Sequence, residues 1–115
     1  MKVLGVFKAA KETREVPSGT VIFDAGSVGD EMFGILSGKV ELRTPDGRVF
    51  ALGPDESFGE MGVVDASPRS ATATATEDTT LAVIDKRRFL FLVHETPTFA
   101  LQVMSNMAER LRART

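Results

Sequence analysis

The sequence lacks several residue types on which enzymes commonly depend. It contains no cysteine, tryptophan or tyrosine, and its single histidine is His94. The absence of cysteine excludes disulfides, thiolate nucleophiles and cysteine-ligated zinc or iron–sulfur sites. One histidine excludes metal sites built from two or three imidazoles, and we expect it to be a surface or packing residue near a helix end. The sequence therefore predicts a non-enzymatic protein that holds no metal.

The chain also lacks an excess of positive charge and any long apolar run. Fourteen Lys and Arg residues stand against 16 Asp and Glu, which gives a formal net charge of −2. No strong field exists to hold a phosphate backbone, so we expect no nucleic-acid binding. The apolar run from Val3 to Phe7 ends at Lys8, too short for a signal peptide or a membrane span. A cytoplasmic protein is the expectation, and the absence of cysteine suits a reducing compartment.

Length and turn spacing predict one mainly β domain. A chain of 115 residues matches a single domain, here 1–115. Between residues 16 and 85, turn signals separate short apolar runs at a spacing typical of a barrel or jelly roll. One example is the hairpin turn 44–48, where Asp46 and Gly47 are expected to supply positive φ angles. In the run ATATAT at 71–76, alternation predicts a strand with alanine on one face and threonine on the other.

Helical spacing marks the two ends of the chain. Apolar residues among the first 13 predict a short N-terminal helix. A second helix is expected at about 86–94, and a third at about 97–113, where Thr96 resembles an N-cap followed by Pro97. The third helix carries an apolar stripe that we expect to dock on the barrel or on another subunit. The stripe consists of Ala100, Val103, Met104, Met107, Ala108 and Leu111.

The segment 58–72, FGEMGVVDASPRSAT, has the residue types of a phosphate site. Gly59 lets the backbone approach a ligand closely, and the amides of residues 60–62 would be unpaired donors. Arg69 offers a planar charged fork that binds two phosphate oxygens, with the Ser70 hydroxyl beside it. Glu60 would repel a phosphate, but it can accept a hydrogen bond from a hydroxyl of the same ligand. A sugar hydroxyl next to a phosphate therefore fits this segment best.

Segment 58–72 resembles the phosphate-binding cassette of the cyclic nucleotide-binding domain family, F-G-E-(L/I/M)-(A/G)-…-P-R-x-A-(T/S). Segment 29–40, GDEMFGILSGKV, is similar to the second signature of that family, G-D-x-x-(Y/F)-x-I-x-x-G-x-V. One departure is Asp55, which stands where a glycine is usual before the cassette. The resemblance implies an eight-stranded jelly-roll barrel with a short N-terminal helix and two C-terminal helices, a hinge and a lid.

The same resemblance implies a ligand and a role for each site residue. Glu60 would hold the ribose 2′-hydroxyl and Arg69 the cyclic phosphate. The phosphate cradle would be completed by Ser70 and by backbone amides at Gly59, Met61 and Ala71. Apolar pocket positions correspond to Leu42 and Val49.

For the base, we expect a contact from the last helix. Arg110 is the first choice among Arg110, Arg112 and Arg114, because a guanidinium can stack on a purine. The alternative is that these three arginines only solvate the helix and complement its dipole.

The expected function is binding of a cyclic purine nucleotide, cyclic AMP before cyclic GMP, by a regulatory module without catalysis. Ser70 does not decide between the two ligands. The regulatory signal would pass to an unknown downstream protein or to a second subunit. That subunit could be a second copy of the chain, paired through the last helix. The alternative is a family member that has lost nucleotide binding and serves in protein interaction or dimerisation.

Overall fold

The computed structural model describes residues 2–112, within which eight strands and three helices form. The mainly β expectation and the strand number are confirmed. The elements in chain order are β1 Thr13–Val16, β2 Val21–Phe23, β3 Met32–Ser37, β4 Val40–Arg43, β5 Val49–Leu52, β6 Ser57–Phe58, α1 Glu60–Val64, β7 Thr72–Ala75, β8 Thr79–Ile84, α2 Lys86–Glu95 and α3 Thr98–Arg112.

The strands form two antiparallel four-stranded sheets, in the orders β1-β8-β3-β6 and β2-β7-β4-β5. The expected eight-stranded jelly-roll barrel is not closed by hydrogen bonds, because among the described residues no strand of one sheet pairs with a strand of the other. Buried side chains from both sheets meet instead, so packing rather than hydrogen bonding joins them. This core includes Phe33, Ile35 and Leu81 from one sheet and Val40, Leu42, Ala73 and Ala75 from the other.

Strand β7 confirms the alternation that ATATAT predicts. Ala73 and Ala75 are fully buried, whereas Thr72 and Thr74 are partly exposed. In the hairpin between β4 and β5, the Thr44 amide donates to Arg48 O at 2.9 Å. Only Gly47 has a positive φ there, at 92°. The expectation for Asp46 is thus wrong, because the turn needs the left-handed conformation at one position only.

The expected N-terminal helix is absent from the described residues. Successive turns replace it, in which the amides of Val6, Lys8 and Ala10 each bond to the carbonyl three residues earlier. Gly5 has a φ of 73°, which interrupts helical geometry. Phe7 is 2% exposed and meets Phe99 edge to face, with ring centroids 5.8 Å apart. The apolar residues of this segment are therefore spaced to pack a series of turns against α3, and they do not form a helix.

The two C-terminal helices begin within one residue of the expected positions, 86 and 97. The Asp85 side chain accepts a hydrogen bond from the Arg88 amide at 2.7 Å, which caps α2. At the start of α3, the Phe99 amide donates to the backbone carbonyl of Thr96 at 2.8 Å. Thr96 is the C-cap of α2, so the expectation that its side chain caps α3 is not supported. The expected end of this helix, residue 113, and Arg114 lie outside the described residues.

The apolar stripe of α3 is only partly buried. Phe99 and Val103 belong to a second core between the helices and the first sheet, together with Phe7, Met32, Ile84 and Leu92. Met104 and Leu111, by contrast, are 59% and 64% exposed. Part of the expected stripe therefore faces away from the strands.

Asp55 occupies a position whose backbone explains why glycine is usual there. Its φ is 69°, in the left-handed region that aspartate tolerates better than most residues. Its Oδ1 accepts a hydrogen bond from the Gly5 amide at 3.0 Å, and its carbonyl accepts one from Gln102 Nε2 at 2.9 Å. Gln102 Oε1 in turn accepts from the Val3 amide at 2.7 Å. The aspartate side chain thus ties the N-terminal turns to the loop before β6, whereas Gln102 of α3 bonds to a backbone carbonyl that glycine would also offer.

We expect Asp55→Ala to lower the free energy of unfolding by about 1–2 kcal/mol, because it removes the bond to Gly5 and keeps the positive φ. Asp55→Gly removes the same bond but relieves the backbone, so its effect should stay within about 0.5 kcal/mol. Denaturant unfolding of both variants measures the difference. Equal losses would show that the backbone conformation contributes nothing.

Candidate functional site

A cavity opens between the second sheet, α1 and the end of α3. Of the nine expected site residues, eight line it: Leu42, Gly59, Glu60, Met61, Arg69, Ser70, Ala71 and Arg110. The remaining lining residues are Phe23, Thr44, Arg48 and Phe50.

Val49 is the expected residue that the cavity does not include. It is 47% exposed and pairs with Arg43 on β4. Strand side chains alternate, so the pair Leu42 and Phe50 faces the cavity and the pair Arg43 and Val49 faces away. The cavity lining therefore includes Phe50 in place of Val49.

Arg69 lies deep in the cavity wall, on the loop between α1 and β7, and is 7% exposed. Its Nη1 donates to Gly59 O at 3.0 Å, and its guanidinium carbon lies 4.3 Å from the centre of the Phe23 ring. Gly29 and Gly62 have no side chain, which leaves space for the Arg69 guanidinium. A Cβ on Gly29 would lie 2.5 Å from Nη2, and one on Gly62 would lie 2.9 Å from Nη1.

Arg69 forms no ion pair within the described residues. Among residues 2–112, no carboxylate oxygen lies within 4.0 Å of its guanidinium. Burial lowers the pKa of Arg69 from its ordinary value, whereas the more distant charges of Glu31, Asp30 and Glu60 favour the charged form. Arginine nevertheless keeps its proton in proteins. A buried guanidinium in this position is suited to receive an anion.

Backbone donors accompany Arg69. Gly59 has a φ of 81° and precedes α1. The Gly62 amide donates to Gly59 O at 3.2 Å, so the expectation that it is unpaired is wrong. The amides of Glu60 and Met61 begin the helical turn, where no intrahelical acceptor exists for them. Ser70 is exposed beside these groups, and Ala71 is buried.

Glu60 is fully buried and holds three side-chain contacts. Its Oε1 accepts from Ser57 Oγ at 3.2 Å and from Asn106 Nδ2 at 3.1 Å. Its Oε2 accepts from Arg110 Nη1 at 2.8 Å. Ser57 and Asn106 were missed in the sequence. Asn106 lies four residues before Arg110, so helical spacing places both on one face of α3 and could have indicated it.

Arg110 is therefore in the cavity, but as the partner of a carboxylate. Its side chain is 25% exposed, while that of Glu60 is 0% exposed. Arg112 is exposed and does not line the cavity, and Arg114 lies outside the described residues. The cavity has a volume of about 60 Å³, well below the roughly 300 Å³ at which ligand pockets usually begin.

Two further observations concern metal binding and membrane spans. Between residues 2 and 112, no group of three metal-ligating side chains is placed to hold an ion. In the same part of the chain, no helix has the length and apolarity needed to cross a bilayer.

Comparisons with known proteins assign the chain to a family. The family model described as "Cyclic nucleotide-binding domain" matches residues 13–96. The chain therefore belongs to the cyclic nucleotide-binding domain family.

Two curated relatives show the breadth of this family. The chain is 41% identical over 106 residues to the cyclic AMP receptor protein of Thermus thermophilus, covering 88% of this chain and 49% of that protein. It is 39% identical over 101 residues to a cyclic nucleotide-gated potassium channel of Rhizobium etli, covering 88% of this chain and 28% of the channel. The chain thus spans half the length of these relatives or less.

Solved structures share the fold. The catabolite activator protein of Thermus thermophilus superposes with a TM-score of 0.76 at 35% identity, over 95% of this chain and 53% of that one. The cyclic AMP-bound form of the EAL enzyme Bd1971 gives a TM-score of 0.65 at 31% identity, over 90% of this chain and 29% of that one. Its cyclic GMP-bound form gives 0.66 at 31%, over 88% and 28%.

Proposed function

We propose that the chain binds cyclic AMP as a regulatory sensor module and performs no chemistry on it. The observation that carries this proposal is Arg69, a buried guanidinium in the cavity with no carboxylate within 4.0 Å among the described residues. A cyclic phosphate supplies the missing negative charge. Bidentate pairing with Arg69 and hydrogen bonds from nearby amides and Ser70 would hold it.

Glu60 selects the sugar in this proposal. A buried carboxylate is a poor neighbour for a phosphate but a good acceptor for the ribose 2′-hydroxyl. Ser57 and Asn106 already hold its Oε1, so Oε2, now bonded to Arg110, is the oxygen available for exchange. Binding of the hydroxyl would release Arg110, which could then stack on the purine. The end of α3 would thereby report occupancy of the site.

The relatives support a cyclic purine as the ligand. One is named as a cyclic AMP receptor, and the EAL enzyme was solved with cyclic AMP and with cyclic GMP. We place cyclic AMP first. We further propose that residues 1–115 form one cytoplasmic domain, which passes its signal to another protein or subunit and does not bind nucleic acid.

Isothermal titration with cyclic AMP, cyclic GMP and AMP tests the proposal. We expect saturable binding of cyclic AMP and much weaker binding of AMP, because the open phosphate carries an extra charge and a different shape. Absence of binding heat and of any thermal shift with both cyclic nucleotides would overturn it.

A second candidate role is homodimerisation through α3. Leu101, Met104 and Leu111 are 53%, 59% and 64% exposed, and with Ala108 they follow the 3-4-3 spacing of a coiled-coil seam. A second copy of the chain offers the same seam, so a two-fold pairing would bury both.

We expect Met104→Asp to weaken such a dimer by about tenfold or more, because it places a charge inside the paired seam. Sedimentation equilibrium over a range of concentrations measures the association. The matched control is Val28→Asp, at a position 83% exposed outside α3. A wild-type chain that stays monomeric at high concentration would exclude this role.

A further inference from the structure

Helix α2 exposes two large apolar side chains on its outer face. Its inner face consists of Phe89, Leu92 and Val93, which pack in the second core between the helices and the first sheet. Leu90 and Phe91 lie on the opposite side of the helix and are 57% and 47% exposed. Neighbouring exposed apolar residues on one helix face are typical of a surface that contacts a partner or a membrane.

Basic side chains surround this apolar pair. Arg87 precedes Leu90 by three residues and Phe91 by four, so helical spacing places it on the same outer face. Beside Phe91 lies a cavity of about 230 Å³, which is lined by the three basic residues Lys11, Arg87 and Arg88. Its other lining residues are Glu12, Val83 and Asp85. We call the set Lys11, Lys86, Arg87, Arg88, Leu90 and Phe91 the α2 surface.

The four basic residues of the α2 surface form no ion pair within residues 2–112, although five other basic residues of the chain do. Arg88 is held by neutral groups. Its Nη2 donates to Ala9 O at 2.9 Å, and its guanidinium carbon lies 4.6 Å from the centre of the Phe91 ring. Glu12 and Asp85 are outnumbered by the four cations. The surface is therefore positive, in a chain whose formal net charge is −2.

A partner for the α2 surface must offer negative charge and an apolar phase side by side. A bilayer that contains anionic lipids does so, because its headgroups lie directly above its acyl chains. The cavity between the cations has room for a headgroup phosphate. A helical peptide, by contrast, docks through a continuous apolar groove, whereas Leu90 and Phe91 are two adjacent residues among cations. The combination favours a membrane surface over a peptide.

We propose that the α2 surface binds peripherally to a bilayer that contains anionic lipids. Leu90 and Phe91 enter the boundary between headgroups and acyl chains, while Lys11 and Arg87 bind lipid phosphates from the rim of the cavity. Helix α2 then lies along the membrane surface. The α2 surface shares no lining residue with the cavity of Arg69, so this inference is independent of the proposed function.

Co-sedimentation with vesicles, without nucleotide, tests this inference. One vesicle set is phosphatidylcholine alone, and the other mixes phosphatidylcholine with phosphatidylglycerol. We expect wild type to bind the mixed vesicles about tenfold or more tightly, and to dissociate from them as salt rises. Arg87→Gln should weaken this binding about fivefold, because it removes one cation from an anionic surface. Phe91→Ser should weaken it by about fivefold to tenfold, because an inserted ring is lost.

Each variant has a matched control outside the α2 surface. Arg43→Gln removes the same charge from a side chain that is 59% exposed and paired with Glu41 on the second sheet. Val21→Ser removes an apolar side chain from β2 that is 48% exposed. Both should bind the mixed vesicles as wild type does. Arg87 is exposed and forms no ion pair among residues 2–112, so Arg87→Gln should fold normally, which circular dichroism checks.

Three results would overturn the inference. The first is wild-type binding that is absent or equal for the two vesicle sets. The second is an equal loss in Arg87→Gln and Arg43→Gln, which would reflect the net charge of the chain and not the α2 surface. The third is binding of soluble polyglutamate without binding of mixed vesicles, which would assign the cations to an acidic protein partner. None of these results changes the expectation for cyclic AMP.

Discussion

Arg69→Ala is expected to weaken cyclic AMP binding by about 2–5 kcal/mol, the cost of removing one partner of a buried charged pair. Without Arg69, the ligand phosphate would have only backbone amides and Ser70 as donors in the cavity. Arg69→Lys should fall between wild type and alanine, because it keeps the charge but loses the fork that binds two oxygens. Calorimetric titration of the three proteins measures the series.

The fold should survive this substitution. The Gly59 carbonyl that accepts from Arg69 also accepts from the Gly62 amide, so it keeps a partner. Arg14→Ala is the matched control, because Arg14 also lies over a phenylalanine ring, that of Phe33, at 5.4 Å, but does not line the cavity. It should leave affinity unchanged. Unaltered cyclic AMP binding by a folded Arg69→Ala protein would contradict the phosphate site.

Glu60→Ala is expected to weaken cyclic AMP by about 1.5–3 kcal/mol, the range for a hydrogen bond that involves a charged group. The same substitution should have little effect on 2′-deoxy cyclic AMP, which already lacks the hydroxyl. Four titrations, two proteins with two ligands, form a cycle that isolates this contact. The comparison is needed because Glu60→Ala also removes the partner of Arg110 in the ligand-free protein.

Glu41→Ala supplies the control for Glu60. Glu41 also pairs with an arginine, Arg43, but on the hairpin outside the cavity. We expect it to leave both ligands unaffected. If Glu60→Ala cost the same free energy with the ribose and the deoxyribose ligand, Glu60 would not contact the sugar, and its role would be limited to holding α3 through Arg110.

Local features of the sequence predicted much of the fold and the cassette. Alternation in residues 71–76 identified β7 and the alanines of its buried face, because side chains in a strand point to opposite faces in turn. Helical spacing predicted α2 at about 86–94 and α3 from about 97, and the structure has these helices at Lys86–Glu95 and Thr98–Arg112, because the spacing of apolar residues depends only on neighbours within a few turns. The family resemblance and the argument from the last helix together named nine candidate site residues, and eight of them, Leu42 and Arg110 included, line the cavity.

The errors occur where local pattern leaves a choice open. The first residues have helical spacing, but Gly5 and the docking of Phe7 against Phe99 produce turns. Val49 and Phe50 are both apolar, and a shift of one residue in register exchanges the two faces. The pairing of Leu42 with Phe50 decides which of them meets the cavity.

The sequence by itself brought together the groups of the proposed phosphate site, because its glycines, amides and arginine lie within 15 consecutive residues, 58–72. Only the tertiary structure decided what surrounds it. Glu60 and Arg110 are 50 residues apart and meet because α3 packs back over the cavity. Arg48 reaches the same cavity through the β4–β5 hairpin. Contacts of this kind depend on how separate elements pack, and no residue pattern within one element records that.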